Sequence, residues 1–129
     1  MANSVGYHES EDKLRPETQD KHRALTSMME ELEATDWYDQ RVDAADDAEL
    51  KEILAHNRNE EIEHFTMLLE WFRRRDPKMS GELKDRLFTN ASIVGQEQAE
   101  KGAGDGGEAG GGSSAGSLGI GSLRGGKGL

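Results

Sequence analysis

From Pro16 to Asp43 no glycine or proline interrupts the chain, and the same holds from Asp47 to Arg75. Two uninterrupted runs of that length restrict the chain to long helices. Pro16 suits the first turn of a helix, and Leu25, Met28, Leu32, Thr35 and Val42 follow a three-four spacing. At 1.5 Å per residue the first helix would be roughly 40 Å long. Asp43 to Asp47 read as the turn, with Asp46 as cap of the second helix and Glu49 completing a capping box. Leu50, Ile53, Leu54, Leu68, Trp71 and Phe72 mark the apolar side of the second helix. Asp76-Pro77 reads as an N-cap followed by Pro at N1, opening a short third helix through Leu83, Leu87 and Phe88.

The expected fold class is therefore all-α: an antiparallel two-helix hairpin plus a short C-terminal helix. Such a hairpin carries an apolar stripe with nothing of its own to bury it against. A four-helix bundle assembled from two chains is the simplest solution. Residues 1–15 are polar and read as a flexible N-terminus, 16–95 as the helical domain, and 96–116 as a Gly-rich linker.

Composition narrows the function. Of 129 residues, 33% are charged and 5% aromatic, the profile of amphipathic helices rather than a β-sandwich. The net charge of −10 repels nucleic acid and attracts cations. Arg73-Arg74-Arg75 therefore reads as a complement to a helix C-terminus, not a nucleic-acid patch. With no cysteine, disulfides and thiolate metal sites are excluded. Met1 to Asp12 has no apolar run, so no secretory signal is expected, and no stretch approaches the roughly 18 apolar residues of a membrane span. The expectation is a soluble cytoplasmic protein.

Chemistry enters with Glu61-Ile62-Glu63-His64, which sets a carboxylate and an imidazole one helical turn apart. Both fall on the stripe that should be buried, where an unpaired carboxylate would cost several kcal/mol. Glu31 borders the same seam on the first helix. Di-iron four-helix bundles take a Glu from each of two helices and a Glu-x-x-His from each of two others. One chain supplies half that set, and two chains supply all of it. Carboxylates plus imidazole select iron or manganese rather than structural zinc. The plainer reading is helix-surface charges in intrachain pairs; the Glu-x-x-His spacing alone favours it, and the second seam-facing Glu with the dimer arithmetic brings the two about level.

Glu30, Glu33 and Trp37 share another face by their spacing: a solvated acidic face, or a weak site of cation attraction. Tyr38 is core filler or a hydrogen-bond donor to the metal ligands. His56 lacks a matching carboxylate and reads as structural; His8 and His22 carry no signal.

Met29 to Ala34, Asp36 to Arg41, Ile53 to Arg58 and Glu60 to His64 together closely resemble the encapsulated ferritins over about residues 20 to 75. The resemblance implies half a ferritin fold per chain, a dimer that completes a ferroxidase centre, and a ring of ten subunits. It implies that Glu31, Glu61 and His64 are di-iron ligands holding two irons per dimer interface, with Tyr38 beside them. Glu30, Glu33 and Trp37 match the acidic cluster through which metal approaches. Ser117 to Arg124 resembles an encapsulin cargo-loading peptide, with Leu118, Ile120 and Leu123 as aliphatic anchors on a Gly-rich tether. Gly125 to Leu129 extend past that motif.

The expected function is oxidation of Fe2+ to Fe3+ by dioxygen or peroxide, for iron storage or detoxification inside an encapsulin nanocompartment of the bacterial or archaeal cytoplasm. The shell is the expected partner through residues 117–124. A different di-iron peroxidase or oxygenase, and a non-catalytic helical adaptor recruited to a shell, are the alternatives.

Overall fold

The computed structural model describes residues 6–107. These form a 3-10 turn at Glu11–Lys13 and four helices: α1 (Pro16–Ala44), α2 (Ala48–Arg73), α3 (Pro77–Arg86) and α4 (Ile93–Gly107). They divide into two compact units, one ending at Phe72 and one starting at Arg73. The all-helical expectation holds among the described residues.

In the first unit, α1 begins with Pro16 at its first helical position, as the sequence predicts. The segment before it is less loose than its composition implies. Gln19 Nε2 donates to the Leu14 carbonyl at 3.1 Å, and the Tyr7 ring lies 4.9 Å from that of His22. At its far end α1 closes with the Ala45 N–H donating to the Arg41 carbonyl. The cap of α2 is Asp47, not Asp46: its Oδ2 accepts from the Leu50 N–H at 2.8 Å. With the cap one residue later, the third position falls on Leu50, and Glu49 cannot close a capping box. Glu49 instead lies in the first turn, where a negative charge suits the helix dipole.

The core of the hairpin is narrow. Ala24, Met28 and Thr35 on α1 and Phe72 on α2 are buried, and no described side chain is completely shielded from solvent. The predicted stripe is thus shifted: Leu25 and Leu32 are exposed, as are Leu50 and Ile53, while Ala24 takes a core position. Thr35 is accommodated because its hydroxyl donates to the Glu31 carbonyl one turn back, at 2.8 Å. Arg58 Nε pairs with Asp39 Oδ1 across the two helices at 2.9 Å. Met29 and Met67 add to the uncovered apolar surface. Two helices have too few faces to bury all these groups, which is the deficit the sequence predicts.

The second unit opens with Asp76, whose Oδ1 accepts from the Met79 N–H at 2.9 Å, and with Pro77 at the first helical position, both as predicted. α3 stops at Arg86 because Leu87 is extended, with ψ of 156°, and Phe88, with φ of 57°, cannot resume a right-handed helix. The expectation that Leu87 and Phe88 belong to the helix is corrected accordingly; Phe88 is 88% exposed.

α4 was not foreseen, and residues 96–107, read as the start of a linker, lie within it. Ser92 starts it, its hydroxyl accepting from the Gly95 N–H at 3.0 Å. A Cβ on Gly95 would sit 2.9 Å from that hydroxyl oxygen, so glycine suits this cap. The helix is held by an ion pair 14 residues apart: Arg86, only 5% exposed, donates to Glu100 at 2.8 Å. Thr89 adds a hydrogen bond to Gln96 at 3.1 Å. No described helix is long and apolar enough to cross a membrane.

Candidate metal centre

Three predicted residues converge. α1 supplies Glu31, and α2 supplies Glu61 and His64 one turn apart; donor atoms of all three lie within 4.8 Å of one another. His64 Nδ1 is 3.3 Å from Glu61 Oε1 and 3.6 Å from Glu31 Oε1. The convergence follows from the core packing. Glu31 sits between the buried Met28 and Thr35, so the turn that buries them brings its carboxylate to the edge of α2. Neither Glu61 nor His64 is buried as the stripe implied: their side chains are 21% and 43% exposed. The seam they occupy is open.

The electrostatics are those of two carboxyls and an imidazole in close contact. Glu31 and Glu61 share a hydrogen bond that pushes the Glu31 carboxyl up and holds that of Glu61 down. Desolvation and the neighbouring carboxylate add to the rise at Glu31, and His64 opposes it. The His64 imidazole is pushed up, first by its hydrogen bond to Glu61 and then by the charges of Glu31, Glu61 and Glu60, against desolvation. The rise at Glu31 and the fall at Glu61 thus share one leading cause, the hydrogen bond between the two carboxyls.

The donor set fits a divalent cation of the iron or manganese type. Two carboxylates and an imidazole, without thiolate, suit such ions. An octahedral ion with bonds of about 2.1 Å spaces adjacent donors about 3.0 Å apart and opposite donors about 4.2 Å apart. The observed separations need only small rotamer changes to meet those values. Three donors leave an octahedral ion short of its full set.

The cluster opens onto a cleft of about 570 Å³ between α1 and α2, lined by Glu31, Ser27, His64, Met67 and Trp71. Glu60 is a neighbour that sequence reasoning missed. Its Oε1 is 3.9 Å from His64 Nε2, and its Oε2 is 3.6 Å from His56 Nε2. His56 therefore has a carboxylate partner, correcting the reading that it had none. Glu60 lies four residues from each histidine, and that spacing was a signal available in the sequence.

The other predicted residues lie apart from the three-donor group. Glu30 and Glu33 are exposed, and Trp37 is half-exposed on the same outer face of α1. Tyr38 is half-buried on the Glu31 side, its ring 5.5 Å from the Arg41 guanidinium carbon. Leu118, Ile120 and Leu123 lie outside the described residues.

Comparison with known proteins places the chain in a family. Residues 6–90 match the EncFtn-like family. The chain is 55% identical over 122 residues to an encapsulated ferritin-like protein of Rhodospirillum rubrum, covering 92% of this chain and 87% of that one. It is 43% identical over 99 residues to a ferritin-like protein of Thermotoga maritima, covering 77% and 87%. A crystal structure of a Nitrosomonas europaea protein superposes with a TM-score of 0.67 at 60% identity, covering 70% of this chain and 99% of that one. With a family match over residues 6–90 and a relative of that identity, the chain belongs to the EncFtn-like family.

Proposed function

We propose that this protein is a ferroxidase that oxidises Fe2+ at a site shared between two chains. The observation that carries the reading is the three-donor cluster of Glu31, Glu61 and His64 on the open edge of an incompletely buried hairpin. Two hairpins brought together across that edge would double the donors to four carboxylates and two imidazoles, the full set of a di-iron bundle. They would also bury apolar surface such as Met67 that one hairpin leaves in water.

In this reading the Fe2+ ions are substrate. Glu31 and Glu61 would hold them through carboxylate oxygens, and each His64 would bind one iron as the neutral imidazole. Anionic donors favour Fe3+ over Fe2+, and the electrons pass to dioxygen or peroxide. Tyr38, one heptad beyond Glu31, would support the ligands, and the outer face of Glu30, Glu33 and Trp37 would gather cations for the site. The relative named as encapsulated supports a shell as the partner. Dimers assemble into a ring of ten, and residues 117–124 dock Leu118, Ile120 and Leu123 into an encapsulin shell that stores the mineral in the cytoplasm.

The test is Fe2+ oxidation by the purified Glu31→Ala/His64→Ala double variant. Loss of rapid oxidation is expected, and an undiminished rate would overturn the assignment. Deleting residues 117–124 should leave oxidation intact while abolishing co-purification with shell protein. Retained co-purification would refute the cargo role.

A further inference from the structure

Arg41 has a setting that the metal cluster does not explain. Its guanidinium carbon is 5.9 Å from the Trp37 ring centroid and 5.5 Å from that of Tyr38. Both values fall inside the roughly 6 Å range of cation–π attraction. In a chain of net charge −10, its side-chain partners among the described residues are two rings, not a carboxylate.

Helical geometry shows what this links. At about 100° per residue, Trp37 lies about 40° to one side of Arg41 and Tyr38 about 60° to the other. Trp37 belongs to the outer acidic face with Glu30 and Glu33. Tyr38 belongs to the inner stripe, one heptad from Glu31. A single planar side chain therefore spans the boundary between the two faces. Trp37 is 49% exposed, so about half of its surface is left without packing.

We propose that Arg41 is a positioning residue, which locks the Trp37 and Tyr38 rings to each other so that the cation-gathering face and the inner stripe keep one relative arrangement. The functional consequence rests on the ferroxidase reading; the positioning does not. A guanidinium can lie flat against two rings, whereas an ammonium is a compact point charge. Arg41→Lys should therefore keep the charge but restore only part of the effect.

The test uses full-length protein labelled with 5-fluorotryptophan, whose two 19F signals report Trp37 and Trp71, assigned with Trp37→Phe. In metal-free Arg41→Gln, the Trp37 signal should shift and narrow as the ring gains mobility, while the Trp71 signal stays. Glutamine keeps helix propensity, and circular dichroism verifies the fold. Iron oxidation should slow several-fold in Arg41→Gln and by an intermediate amount in Arg41→Lys. An unmoved Trp37 signal would overturn the positioning role, and a moved signal with an unchanged oxidation rate would overturn its consequence. If the wild-type protein does not oxidise iron, the ferroxidase reading fails, and the metal-free spectra still decide the role of Arg41.

Discussion

Met67→Asp tests the shared-seam arrangement most directly. Met67 is 57% exposed and lines the cleft beside His64. Fully burying a Met side chain stabilises by about 1.5–3 kcal/mol, so covering the exposed part contributes about 0.9–1.7 kcal/mol per copy. In a two-fold dimer each position occurs twice, which gives about 2–3 kcal/mol per interface. Losing that weakens the dimer about 30- to 150-fold, since each 1.4 kcal/mol is tenfold. Desolvating two new carboxylates makes the loss larger. Sedimentation equilibrium with and without Fe2+ should show the dimer of Met67→Asp dissociating at concentrations where wild type and Met67→Leu remain associated. Helix content should be unchanged, because the side chain is mostly in solvent within one chain. Wild-type-like association of Met67→Asp would refute a seam that closes over this cleft.

Three further outcomes concern the titratable donors and the second unit. His64 is pushed above its ordinary 6.5, so a cation competes with a proton for its imidazole. Affinity for Mn2+ should therefore fall as pH drops through the raised His64 value, with proton release measurable by calorimetry in two buffers; His64→Gln should flatten that dependence near neutrality. In the metal-free protein the linkage has the opposite sign. The stabilisation from His64 is complete below 6.5 and is lost as pH rises through its folded value, whereas that from Glu61, held below 4.5, is lost as pH falls through its folded value. In the second unit, Glu100→Ala removes a charged partner of the buried Arg86. Hydrogen bonds to charged groups are worth about 1.5–3 kcal/mol, and with Glu100 42% exposed the lower end applies. Amide exchange in α4 should quicken about tenfold while α1 and α2 stay unchanged; unaltered protection of α4 would show that the ion pair does not hold it.

Local rules made much of the hairpin legible. Pro16, Asp76 and Pro77 act on their own turns, so helix starts could be read without a fold. The three metal-type donors could be read because helical spacing fixes Glu61 relative to His64, and Glu31 lies on the stripe that any hairpin would bury. The one-residue error at Asp46 and Asp47 has a local cause: two adjacent carboxylates can both cap, and the backbone path chooses between them.

Other features were settled only by residues meeting across the fold. α4 has a poor helix-forming sequence, interrupted by glycines, and is tied to α3 by the Arg86–Glu100 pair between positions 14 residues apart. Periodicity cannot register such a contact. The same applies to which residues of the stripe are buried: Ala24 is in the core and its neighbour Leu25 is exposed, a choice set by the rotation of α1 against α2. Sequence determined the identity and spacing of the donors, since these are properties of one helix at a time. Tertiary structure decided that they stand within 4.8 Å of one another at the edge of an open cleft, because that distance depends on how α1 and α2 pack.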